Sequence, residues 1–129
     1  MATLTKAPTE GDILKFDLNN NYTREVVTLL AGTNYAIGSV VGQITASGKF
    51  TLSPAAEVLG SEGAETAAGV LIEAVDATDG DLSGVVIRRG PAIVSKDMLT
   101  FDASVDQEAE ITAKLAQLTL LGIVARDAA

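Results

Sequence analysis

The sequence predicts a mainly β fold (β-rich α+β) in which short antiparallel strands are closed by one packed C-terminal helix. Three observations point there. Twelve glycines punctuate a series of short, β-branched apolar runs. Leu14, Phe16 and Leu18 alternate with Lys15 and Asp17 at a period of two, the mark of a half-buried strand. A single stretch, Ile111, Leu115 and Leu118, has helical spacing. The chain has 129 residues, of which 47% are apolar, enough for one core, and it shows neither an internal repeat nor a second domain.

Residues 1–12 read as an arm, because Thr3, Thr5, Lys6, Pro8 and Thr9 surround one large apolar residue, Leu4. The folded domain is expected over residues 13–129. Ile13 to Leu18 is the first strand, and Asn19, Asn20 and Asn21 supply the turn after it. Tyr22 to Leu30, with Val26, Val27 and Thr28, is the second, closed by Gly32. Val40 to Thr45 and Lys49 to Leu52 flank Ser47 and Gly48 as a hairpin. Ser53 and Pro54 stop it, and Ala55 to Glu65 has the alanine, glycine and glutamate content of an exposed loop. Ala67 to Val75 is continuously apolar, as in a strand buried on both faces, and Asp76 to Gly84 is an acidic turn. Val85 to Ile87 and Ala92 to Val94 are strands on either side of a bend at Arg88 to Pro91, since proline cannot donate to a ladder. Ser104 with Gln107 forms a capping box at the start of the helix, where Asp106, Glu108 and Glu110 favour the positive end of the dipole. Gly122 is the C-terminal cap, and Ile123 and Val124 add a closing strand.

The chain has no histidine and no cysteine. It therefore lacks the side chain that titrates nearest neutrality and the best intrinsic nucleophile, and a disulfide framework is excluded. Seventeen acidic against nine basic residues give a net charge of -8. No lysine or arginine occurs from Phe50 to Ile87, while seven carboxylates do, so nucleic acid and anionic membranes are poor partners. Met1 to Asp12 lacks the apolar segment of a signal peptide, and no apolar run approaches the roughly 20 residues of a membrane span, so synthesis in the cytoplasm is expected.

Several chemical patterns are weak. Gly42, Gly48 and Lys49 approximate a phosphate-binding loop, but the spacing is one residue too long and Phe50 stands where a metal-binding hydroxyl belongs. Asp76, Asp79 and Asp81 around Gly80 could offer oxygen ligands to calcium, though no glutamate closes the loop; a solvated turn is the plainer reading. Arg88 and Arg89 could clamp an anion, with a strand-end ion pair as the simpler assignment. With no tryptophan, two tyrosines and three phenylalanines, a sugar site built on aromatic faces has little material. An enzyme is disfavoured, and no catalytic, cofactor-binding or metal-binding residue is assigned. A calcium- or carbohydrate-binding β module is the alternative class.

The order Gly63, Ala64, Glu65, Thr66, Ala67, Ala68, Gly69, Val70, Leu71, then Arg89, Gly90, Pro91, Ala92, Ile93, Val94, resembles phage head decoration proteins. Thr23 to Val27, Gly42 to Phe50 and Leu121 to Val124 extend the likeness over most of Gly11 to Arg126. The resemblance implies a lambda-type capsid-stabilising protein: a small antiparallel β-barrel-like domain with one packed C-terminal helix and a flexible N-terminal arm. It also implies a homotrimer at the threefold positions of the expanded icosahedral shell, no catalytic residue and no cofactor. The partner implied is the major capsid protein of a tailed phage, and the location the outer capsid surface of the virion, after synthesis in the host bacterial cytoplasm. In that family the arm pairs with the capsid protein; here the candidate capsid-binding residues are Thr3, Leu4, Thr5, Lys6, Ile13, Leu14 and Phe16. The patterned block Ile13 to Leu30 makes the N-terminal part longer and more strand-like than in the lambda protein. An arm that leads into β-pattern can add a strand to a partner's open sheet edge.

Overall fold

The computed structural model describes residues 13–17 and 20–126. The arm expected over residues 1–12 lies outside the described residues. Among the described residues, ten short strands, one helix of a single turn and one long helix follow in order. They are β1 (Leu14–Asp17), α1 (Asn20–Thr23), β2 (Arg24–Leu29), β3 (Asn34–Tyr35), β4 (Val40–Gln43), β5 (Phe50–Leu52), β6 (Ala67–Leu71), β7 (Val75–Asp76), β8 (Leu82–Ile87), β9 (Ala92–Ser95), α2 (Glu108–Leu120) and β10 (Ile123–Arg126), with a 3-10 turn at Lys96–Met98.

Five strands close a barrel in the order β2-β5-β4-β6-β8, and β8 returns to β2 over six antiparallel pairs from Arg24↔Ile87 to Leu29↔Leu82. The chain is thus mainly β with one C-terminal helix, but two pairings are parallel. β2 meets β5 at Leu29↔Phe50, and β9 runs parallel to β10 from Ile123↔Ala92 to Arg126↔Ser95. Barrel closure brings the first barrel strand beside the second arm of the hairpin, and α2 is the crossover that parallel strands require. β1, β9 and β10 form a separate three-stranded sheet with β9 in the middle, and β3 pairs with β7 as a small ribbon.

The barrel wall separates two apolar clusters. Inside lie Val27, Leu29, Tyr35, Val41, Phe50, Leu71, Val75, Ala77 and Val86. Outside, between the wall and the second layer, lie Val40, Ala67, Val70, Ile72 and Ile87 from the barrel side, with Ile13, Ala92, Val94, Leu118 and Ile123 from the covering elements. This is why Ala67 to Leu71 is apolar throughout, since the strand feeds both clusters. The apolar run does not continue as one strand to Val75. Ile72 donates its N–H to Val85 O (3.0 Å), and the chain then turns out into the β3–β7 ribbon.

The helix also starts differently from the expectation. Gln107, not Ser104, is the N-cap, and the Glu110 carboxylate accepts from the Gln107 N–H (3.1 Å) and the Asp106 N–H (3.3 Å). The Ser104 hydroxyl donates to Asp102 Oδ2 (2.6 Å) and accepts from the Ala55 N–H (2.9 Å), which ties two loops together. Two cap patterns overlap in sequence here, and the loop contact decides between them. At the other end Gly122 follows the C-cap with φ +86, as expected.

Tyr35 is fully buried in the inner cluster, and its hydroxyl donates to Leu30 O at 2.7 Å. Burial raises its pKa above the ordinary tyrosine value, so the fold holds the phenolic proton more tightly than the unfolded chain does. Stability from this group is complete below pH 10 and declines as pH rises past it. Tyr35→Phe should cost about 1 kcal/mol at neutral pH for the lost hydrogen bond. It should also flatten the alkaline fall in stability, which urea unfolding at pH 8 and pH 11 measures.

Candidate functional site

The seven residues singled out as capsid-binding fall into two groups. Thr3, Leu4, Thr5 and Lys6 lie outside the described residues. Ile13, Leu14 and Phe16 belong to the folded body: Ile13 is fully buried in the outer cluster, Leu14 packs against it, and β1 pairs with β9 through Leu14↔Val94, Phe16↔Ile93 and Asp17↔Ala92. A bulge between Leu14 and Phe16 interrupts the register. Ile13 Cδ1 lies against Gly38. Gly38 adjoins a groove of about 510 Å3 whose lining includes Tyr35, Ile37, Met98 and Leu99. The N-terminal segment therefore joins the body at an edge strand, through a residue locked in the core and beside an apolar groove.

The other candidate chemistries are occupied by structural contacts. Arg88 Nε and Arg89 Nη2 share Glu25 Oε2, at 3.0 and 3.2 Å. Arg88 also donates to Ala68 O (3.2 Å), and Arg89 to Tyr22 O (2.6 Å). The guanidinium carbons lie 5.0 Å from the Phe50 ring centre and 5.4 Å from that of Tyr22. The arginine pair is a strand-end ion-pair cluster. Asp81 accepts from the Ala31 N–H (2.7 Å) and pairs with Lys49 Nζ (2.6 Å), and these contacts hold its carboxyl below the usual range. Asp76 is lowered likewise by the Thr78 hydroxyl and N–H. Among the described residues no three acidic side chains are grouped as ligands for a cation. Gly48 and Lys49 form a hairpin turn, with Gly48 N–H donating to Ile44 O (2.8 Å) and Ile44 N–H to Lys49 O (2.8 Å).

One structural element was hidden in the sequence. Lys114, between Ile111 and Leu115 on α2, is 2% exposed. Its ammonium donates to Ser53 Oγ (2.9 Å), Pro54 O (2.6 Å) and Glu65 O. All three protons are used. Burial pushes its pKa below the ordinary lysine value, against the pull of the Glu65, Asp102 and Glu110 carboxylates. Ser53 Oγ donates onward to Ala64 O (2.7 Å), and Gln117 Oε1 accepts from the Ala67 N–H (2.8 Å). The buried face of α2 thus holds both ends of the loop between β5 and β6. The spacing Lys114 to Leu118 places the lysine on the apolar stripe, a signal that is legible once a lysine is allowed to be buried.

The described surface thus combines an anchored edge strand, a pinned loop, and exposed apolar side chains at Tyr22, Val26, Val58, Leu59, Leu82 and Leu120. No helix among the described residues is long and apolar enough to cross a membrane. No curated protein matches the chain. The family model for the bacteriophage lambda head decoration protein D matches residues 3–123, a span that takes in Thr3 to Lys6, the barrel, α2 and the start of β10. The protein therefore belongs to the family of the bacteriophage lambda head decoration protein D, structural proteins of the phage capsid.

Proposed function

We propose that the chain assembles as a homotrimer on the outer surface of the expanded icosahedral capsid, at the threefold positions, and stabilises the shell against the pressure of packaged DNA. The observation that carries this reading is the family match, which begins at residue 3 and so includes the segment that precedes the anchored strand β1. Residues 1–12 are the part that reaches the major capsid protein, with Thr3, Leu4, Thr5 and Lys6 pairing to an open sheet edge. Ile13 and Leu14 hold the root of that arm to the body, and β1 with Phe16 carries the β-pattern onward from it. A pull on the arm is then borne by the β1–β9 ladder and the outer cluster.

Ordering an arm costs about 1 to 2 kcal/mol per residue in backbone entropy, so a single arm binds weakly and three on one trimer bind by avidity. Deletion of Ala2 to Glu10 should leave the folded body and its self-association intact while weakening capsid binding by at least about ten-fold. Co-sedimentation with expanded, undecorated capsids measures this. A truncated protein that binds as tightly as the full chain removes the arm from the mechanism.

A further inference from the structure

Leu59, on the loop between β5 and β6, is 94% exposed, the most exposed large apolar side chain among the described residues, and Val58 beside it is 47% exposed. The loop that carries them is tied down. Thr45 N–H donates to Glu62 O (2.9 Å), Ser61 N–H to Val58 O (2.9 Å) and Gly60 N–H to Glu62 Oε1 (3.0 Å). Lys114 holds its two ends at Pro54 O and Glu65 O. A loop fixed in this way presents its leucine to water instead of folding it back. Next to the knob lies a hollow of about 160 Å3 lined by Thr51, Leu52, Pro54, Val58, Ser61 and Asp102. The surface is therefore an apolar knob beside a hollow of mixed polarity.

Charge selects the partner. Glu57 and Glu62 flank the knob, and no basic residue occurs between Phe50 and Ile87. An anionic membrane would be repelled by this collar. The complement is an apolar cleft rimmed by lysine or arginine. From Ile13, which lies against Gly38, the Thr100 N–H donates to Gly38 O (2.9 Å), the Val40 N–H to Thr100 O (2.8 Å) and the Ser53 N–H to Val40 O (3.0 Å). Hydrogen bonds across the barrel wall thus connect the root of the loop to Gly38, against which Ile13 lies.

We infer that Val58 and Leu59 form a second capsid-docking element, a knob that inserts into an apolar, basic-rimmed cleft on the capsid protein. This rests on the capsid-binding reading above. Leu59→Ser should fold with an unchanged Tm and bind expanded, undecorated capsids about ten-fold or more weakly, since one buried leucine is lost per contact. Glu57→Lys should also weaken binding and reduce its dependence on salt. If the unaltered chain binds capsids and Leu59→Ser binds equally well, the knob is wrong while the decoration reading stands. If Leu59→Ser instead dissociates the free protein's oligomer in sedimentation, the occupant is a second copy and the inference is overturned. If the unaltered chain does not bind capsids at all, the knob and the decoration reading fall together.

Discussion

Gly90→Ala is expected to lower folding stability by about 3 kcal/mol or more, the upper end of what overpacking costs. A Cβ built on Gly90 runs into the carbonyl oxygen, carbonyl carbon and Cα of Gly122, which are main-chain atoms and cannot swing aside as a side chain would. The contact sits where the bend after β8 meets the turn that joins α2 to β10. Gly90 N–H donates to Leu121 O (2.8 Å) and Ala92 N–H to Gly122 O (3.2 Å), and the parallel ladder of β9 with β10 starts at the next pair, Ile123↔Ala92. Moving the two backbones apart would therefore loosen the helix end, the ladder and the layer over the outer cluster together. Gly80 provides the contrast, because a Cβ there meets nothing within 4 Å. Gly80→Ala should be neutral or stabilise by up to about 1 kcal/mol through the unfolded chain. Urea unfolding of both variants decides the matter, and equal stabilities would show that the Gly90 contact relaxes without cost.

Lys114→Met is expected to cost about 2 to 4 kcal/mol and to lower Tm by roughly 10 °C. The thioether keeps much of the apolar stem but leaves Pro54 O, Glu65 O and Ser53 Oγ without their buried donor. Part of the loss is offset because the ammonium no longer has to be desolvated. The consequence extends beyond stability, since Lys114 fixes the loop that presents Leu59. Hydrogen exchange at the backbone amides of Ser61 and Ala64 should accelerate in Lys114→Met before global unfolding. Thermal unfolding within 1 °C of the unaltered chain would contradict the role assigned to this lysine.

The outer strands, the hairpin, the long helix and the closing strand were all legible, because each carries either strict alternation or a helical stripe with a glycine at its end. Gly42, Gly63 and Gly90, which stood out only as elements of a pattern, turn out to be places where one backbone touches another or a side chain. The ribbon of β3 and β7 was not legible: two residues per strand, Asn34–Tyr35 and Val75–Asp76, carry no periodicity. The parallel pairings at Leu29↔Phe50 and along β9–β10 depend on barrel closure, which no local pattern encodes. Within the candidate site, the burial of Ile13 could not be separated from the alternation of the strand it precedes. Lys114 was missed because a charged residue on a helix is normally read as solvated, and only the three acceptors converging on it from distant sequence make its burial tolerable.

The role proposed for this chain is contact with the capsid. The most direct test of that role is the disruption temperature of expanded, undecorated capsids, followed by scanning calorimetry as the purified protein is added. Saturable binding with a rise in the capsid transition that stops once the sites are filled is the predicted result. A capsid transition that stays where it was at saturating protein would contradict the claim that this chain stabilises the shell.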